Sequence, residues 1–198
     1  MHSIFVTQIY QRKLSFDLKD LKLEIRQIMK ADLAGQQWSE KNYQQGYTSY
    51  GSWDQMHRMS SNFEALQKKI DKQVIFFCKS LGFSVAQNAL VMNSCWVNVM
   101  PEQAYHGSHI HPHAVLSGSF YVDVPKDAST LKFEDPRLGL FMNAPTIKPS
   151  AKKQNQRFFS VQPRNGDLIL FESWLRHEVP LNKSRQPRVS ISFNYGWK

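Results

Sequence analysis

Residues 166–197 read GDLILFESWLRHEVPLNKSRQPRVSISFNYGW. Two runs within them, GDLILFESW (166–174) and RVSISFNYGW (188–197), are rich in β-branched and aromatic residues and read as strands. The prolines, Asn182 and Ser184 between them are turn chemistry. Working back toward the N-terminus, the same texture recurs in QRFFSVQP (156–163), STLKFEDP (129–136), AVLSGSFYVDV (114–124) and NALVMNSCWVNVM (88–100). Trp96, Phe120, Phe133, Phe171 and Phe193 alternate with polar neighbours, as core-facing strand residues do. Many short strands set apart by Pro, Gly, Asn and Asp predict a sandwich or barrel. The segment 143–156 is polar, carries two prolines and reads as a mobile loop.

Upstream of Gly82 the period changes. Phe63, Leu66, Ile70, Val74, Phe77 and Leu81 are spaced by three and four, so a helix is expected from Ser60 or Ser61 to a stop at Gly82. An earlier helix, capped by Ser15 or Asp17, carries Leu18, Leu21, Leu23, Ile25, Ile28, Met29 and Leu33. Residues 35–58 show no period and read as an irregular connection, and SIFVTQIY (3–10) reads as a first strand. The expected fold is mainly β with packing helices that back one sheet of the β core. Its length suits one domain, 1–198, in which 1–87 form an N-terminal strand plus helical extension and 88–198 the β core.

With 41% hydrophobic and 13% aromatic residues the chain can bury a real core, which excludes wholesale disorder. The formal charge of +9 admits an acidic partner such as nucleic acid, but the positive residues are dispersed, as on a basic enzyme surface. Lys152, Lys153 and Arg157 form a small run that reads as solvated surface. Cys78 and Cys95 form no C-x-x-C motif and sit in apolar runs, so they read as buried hydrophobes and argue against a disulfide-stapled secreted domain. No apolar stretch approaches a membrane span, and MHSIFVTQIYQRK lacks the parts of a signal peptide, so a cytoplasmic location is expected.

Histidine placement carries the chemistry. His106, His109, His111 and His113 are packed into HGSHIHPH, and His177 follows the strand-like GDLILFESW. On a strand, residues two apart share a face, so His109 and His111 can present imidazoles side by side. Imidazole binds Fe, Zn, Cu and Ni, and His177 is the candidate third ligand of a facial metal site. His106 and His113 read as supporting or loop residues. Further on, Arg188 and Ser190 share a strand face, and together a guanidinium and a hydroxyl grip a carboxylate. Either feature alone would read as ordinary surface. Asp167, in an N-G-D turn, reads as a turn residue.

In this order, the motifs HIHPHAVLSGSFYV, KFEDPR, GDLILFESWLRH and RVSISFN resemble the 2-oxoglutarate/Fe(II)-dependent oxygenases, whose signature runs H-x-(acid)…H…R-x-S. The resemblance covers roughly 88–197. It implies a double-stranded β-helix (jelly-roll, cupin-like) core, Fe(II) as metal and 2-oxoglutarate as cosubstrate. It further implies that His109 and His177 are ligands, that Arg188 and Ser190 bind the distal carboxylate, that Tyr121 adds a hydrogen bond to it, and that Asn98 reaches the keto-acid end. The implied reaction is hydroxylation coupled to oxidative decarboxylation, with a substrate that these motifs do not specify.

The sequence departs from the family pattern where the acid should stand, because that residue is His111. Three readings stay open: a three-histidine site of His109, His111 and His177; a carboxylate brought from Asp123, Glu134 or Asp135; or a site that binds metal without oxygenase activity. Two functions of other classes are carried alongside, a metal-binding cupin-like protein that is not an oxygenase and a basic module for an anionic polymer. The sequence leaves the oligomeric state open, with an exposed edge strand as one route to a homodimer.

Overall fold

The computed structural model describes residues 2–43, 45–86 and 88–198. In chain order its elements are β1 (Tyr10–Lys13), α1 (Leu18–Ala31), α2 (Leu33–Asn42), β2 (Tyr47–Thr48), α3 (Ser61–Ser80), β3 (Leu90–Met100), β4 (His106–His109), β5 (Leu116–Asp123), β6 (Leu131–Glu134), β7 (Phe158–Val161), β8 (Asp167–Glu172), β9 (His177–Val179) and β10 (Arg188–Trp197). They build a six-stranded sheet, β1-β8-β5-β10-β3-β2, and a four-stranded sheet, β4-β9-β6-β7, with antiparallel pairing throughout.

Strand alternation explains why the large sheet is buried on both sides. Along β10, Ile191, Phe193 and Tyr195 join Val97 and Cys95 of β3, Phe120 and Val122 of β5, and Leu168 and Leu170 of β8 in one apolar cluster. That cluster also holds Leu21 and Ile25 of α1 and Phe63, Leu66, Ile70, Val74 and Phe77 of α3, so the helices cover this face. The opposite parity points into the space between the sheets. There Tyr121, Ile169 and Phe171 meet Leu131, Phe133, Val161 and Val179 of the small sheet. The same side of β10 carries Arg188, Ser190 and Ser192, and that of β3 carries Trp96 and Asn98. The polar residues of these strands therefore enter a cavity walled by core.

The helices begin where their caps stand. Asp17 accepts from the main-chain N–H groups of Lys19 and Asp20, and Ser60 accepts from that of Phe63. Gly82 follows α3 at φ +74, a left-handed residue that ends the helix at little steric cost.

Three sequence expectations need correction. The predicted strand over 3–10 is displaced: pairing with β8 runs from Tyr10 to Lys13, and Ile4, Phe5 and Val6 are exposed without a ladder partner. Residues 33–42 form α2, so Leu33 leaves the first predicted helix and residues 35–42 leave the predicted irregular connection; α2 starts because the buried Asp32 carboxylate accepts from the Gly35 N–H. The short strand β2 also lies in that predicted irregular connection, since two residues show too little period to read. Among the described residues, no helix is long and apolar enough to cross a membrane.

Candidate active site

β4 and β9 pair antiparallel, and the register sets His109 directly opposite His177. β4 ends at His109, so His111 lies in the loop beyond it, where its main-chain N–H donates to the Ser173 carbonyl at 3.0 Å. This corrects the basis of the sequence expectation: the two imidazoles meet through the loop after the strand, not through i, i+2 geometry along it. The result is a compact trio, with ligand atoms of His109, His111 and His177 all within 4.8 Å of one another.

The lone pairs that face the centre follow from proton accounting. His109 Nδ1 stands 2.7 Å from the Gly107 carbonyl and His177 Nδ1 2.8 Å from the Leu175 carbonyl. A carbonyl only accepts, so each Nδ1 carries the proton and each Nε2 is left as an acceptor. His111 Nε2 lies 3.3 Å from His177 Nε2. Burial lowers all three pKa values, to about 4 for His111 and about 3 for His177; neighbouring imidazoles push the same way on His111 and His177, and the Arg176 charge does so on His109. Three imidazoles with ligand nitrogens this close together are the donor set of a borderline transition metal. Phe171 packs on His177 at 4.6 Å between ring centroids, and Trp96 lies 6.0 Å from His111, so the trio is walled by aromatic rings.

The carboxylates weighed as a third ligand are engaged or turned elsewhere. Asp123 pairs with Lys22 at 2.9 Å, and Asp135 with Arg137 at 2.9 Å. Glu134 follows the core-facing Phe133 and so takes the opposite side of β6. None of them joins the histidine cluster. Asp167 accepts from Gln11 and from the Arg164 N–H, the turn role read for it. His113 sits in a turn with φ 66, whereas His106 stacks on His109 at 4.4 Å and lines the cavity.

From the histidines the cavity runs toward Arg188. This residue opens β10 opposite Met100, and Ser190 lies opposite Asn98 on one side and Tyr121 on the other. Arg188 is only 2% exposed. Its Nη1 contacts the Met100 sulfur at 3.2 Å, its Nε has no partner, and no carboxylate bridges to it among the described residues. The guanidinium lies over the Tyr121 ring at 4.8 Å. The Tyr121 hydroxyl is buried without a partner in good geometry, and Asn98 donates to Ser192 while its Oδ1 stays unpaired. A buried cation surrounded by unsatisfied polar atoms is costly by itself and calls for an anion.

The structure thus brings His109, His111, His177, Arg188, Ser190 and Asn98 to one cavity, while Tyr121 lies outside its lining, beneath the Arg188 guanidinium. It adds Tyr43, Trp96 and Phe171, which the sequence reading did not assign to the site, and it places His106, read as a supporting or loop residue, in the lining. Tyr43 stands at the end of α2 in a stretch without period, where no local signal marks it. Trp96, one residue beyond Cys95 on a strand, could have been found from its parity with Asn98.

Residues 94–194 match the family described as "Putative 2OG-Fe(II) oxygenase". No curated protein matches the chain by sequence. Among solved structures, a Pseudomonas putida prolyl-4-hydroxylase is similar with TM-score 0.65 and 16% identity, over 97% of this chain and 94% of that one. The carbocyclase SnoK from nogalamycin biosynthesis gives 0.64 and 12%, over 96% and 79%. HygX from Streptomyces hygroscopicus, crystallised with nickel and 2-oxoglutarate, gives 0.61 and 12%, over 97% and 84%. At these identities the likeness is one of fold, the double-stranded β-helix core of the 2-oxoglutarate oxygenases.

Proposed function

The chain belongs to the 2OG-Fe(II) oxygenase family, and on that premise we propose that His109, His111 and His177 are its iron ligands, that Arg188, Ser190, Tyr121 and Asn98 receive 2-oxoglutarate, and that the product is a hydroxylated substrate. The observation that carries the reading is Arg188. A buried guanidinium with an unpaired Nε and, among the described residues, no acidic partner shares a cavity with three clustered imidazoles. A dianion that reaches from a metal to a distant cation suits both ends of that cavity. Crystallisation of the similarly folded HygX with nickel and 2-oxoglutarate supports the same cosubstrate.

Bound iron and its cosubstrate supply the oxidising chemistry, and the protein supplies orientation and electrostatics. The Gly107 and Leu175 carbonyls fix the tautomers of His109 and His177 and hold their rings in place. Arg188 neutralises the far carboxylate, and Ser190 and Tyr121 offer hydroxyl donors beside it. Phe171, Phe133 and Trp96 keep bulk water from the metal side of the cavity. Both cysteines are free and buried, which fits the reducing cytoplasm as the place of action.

The test is anaerobic titration of the Fe(II)-loaded protein with 2-oxoglutarate, followed by the visible charge-transfer band of the chelate. A saturating band is expected. One observation favours a second reading, a metal-binding protein without this chemistry: the trio holds an imidazole where the family pattern has a carboxylate. That reading predicts bound iron and no band at any 2-oxoglutarate concentration.

A further inference from the structure

The cosubstrate end of the cavity is completed by a residue from the helical N-terminal region, outside the stretch that matches the family. Tyr43 is 5% exposed, lines the same cavity as Arg188, and its hydroxyl has no hydrogen-bond partner. Burial raises the phenol's pKa while the Arg188 charge opposes the rise, so the group stays a neutral O–H donor within reach of that charge. A buried hydroxyl without a partner is destabilising by itself, and its retention beside an unpaired guanidinium points to a shared acceptor.

The ring is seated from both sides. Its main-chain N–H donates to the Ser39 carbonyl at the end of α2, and its carbonyl accepts from the Gly46 N–H at 3.1 Å. A Cβ on Gly46 would stand 2.5 to 2.9 Å from three atoms of the Tyr43 ring, so only glycine lets the turn close on it. On the cavity side the ring packs against His106 at 5.5 Å, and His106 stacks on His109 at 4.4 Å. Tyr43, His106 and His109 thus form a row from the Arg188 end of the cavity to the metal end.

We propose that Tyr43 is a cosubstrate-binding residue whose hydroxyl donates to the carboxylate held by Arg188. This rests on the assignment of that end of the cavity to 2-oxoglutarate. Because the N-terminal region supplies the donor, the β core alone would hold the cosubstrate less tightly than the full chain.

The experiment compares wild type and Tyr43→Phe, both loaded with Fe(II) under anaerobic conditions. Each is titrated with 2-oxoglutarate and with 2-oxobutyrate, which keeps the keto-acid end and lacks the distal carboxylate. Loss of one hydrogen bond to a charged group should raise the 2-oxoglutarate Kd of Tyr43→Phe about tenfold. The 2-oxobutyrate Kd and the iron stoichiometry should stay at wild-type values. The melting temperature of the metal-free variant should not fall, because no protein hydrogen bond is removed. Gly46→Ala, which pushes on the ring from the other side, should show the same selective loss. An unchanged 2-oxoglutarate Kd in Tyr43→Phe, or an equal loss for both ligands, overturns the proposal for Tyr43. Absence of 2-oxoglutarate binding by the wild type overturns the cosubstrate assignment as well, so the two failures are distinct.

Discussion

His109 and His177 form a direct cross-strand pair between β4 and β9, with ring centroids 4.3 Å apart and each Nδ1 tied to a main-chain carbonyl two residues before it. Backbone pairing thus fixes two of the three proposed donors before any metal arrives. Such a preformed pair loses little freedom on binding, and its main-chain anchors keep Nε2 as the free nitrogen.

Removing one member of this pair should abolish tight metal binding. His177→Ala is expected to lower the Fe(II) stoichiometry from one per chain to near zero at micromolar metal. His111→Ala should do the same if the third donor is the loop histidine. Metal analysis after gel filtration reads both. Full iron in His111→Ala would return the third ligand to a carboxylate that moves in from elsewhere.

Arg188 gives a prediction with two opposite signs. Replacing it by Met should weaken 2-oxoglutarate binding by about a hundredfold, the loss of a charge-assisted, bidentate contact. The same change removes a buried cation without an acidic partner, so the metal-free protein should gain about 1–3 kcal/mol. Calorimetric titration and urea denaturation measure the two effects. A variant that loses stability while keeping cosubstrate affinity would remove Arg188 from its role.

What the sequence made legible, and what it did not, divides along the range of the interactions. Strands of eight or more residues, such as β3, β5 and β10, announce themselves by period, and α3 by its spacing of three and four. Arg188 and Ser190 could be paired by parity on β10, whereas Asn98 and Tyr121 were placed only by what the family resemblance implies. β4 and β9 are too short to read, and the pairing of His109 with His177 depends on a register that only the folded sheets define. Asp32 capped a helix that its neighbours do not advertise, because α2 is stabilised by contacts to β2 and not by an apolar stripe. Tyr43 depends on that same local fold and was invisible for the same reason.

The buried imidazoles make the metal-free protein sensitive to acid. His57, His106, His109, His111 and His177 all have pKa values lowered by burial, to about 4 for His106 and His111 and about 3 for His177. The unfolded chain takes up protons near 6.5 that the folded chain refuses. Between pH 6.5 and the folded values, unfolding is therefore accompanied by proton uptake, and stability falls as the pH falls. At pH 5 a single fully refused proton costs about 2 kcal/mol. Melting temperatures of the metal-free protein should drop steeply between pH 7 and 5, and a flat profile would contradict the burial of these rings as neutral groups.

The buried Asp32 carboxylate joins the helical region to the large sheet. It is 1% exposed and accepts from the Gly35 N–H at 2.8 Å, the Tyr47 hydroxyl at 2.8 Å and the Ser52 hydroxyl at 2.5 Å. Asp32→Ala removes the cap of α2 and leaves the Tyr47 hydroxyl buried without a partner, which should destabilise the protein by about 2–4 kcal/mol. β2 follows directly and pairs Thr48 with Asn98, so the loosened segment borders the cavity on the side that carries Tyr43. The substitution should therefore weaken 2-oxoglutarate binding while the histidine pair, held by the β4–β9 ladder, still takes up iron. Urea denaturation together with the two titrations would check both halves. Iron loss in parallel with cosubstrate loss would mean that the helical region supports the whole site and not only its Arg188 end.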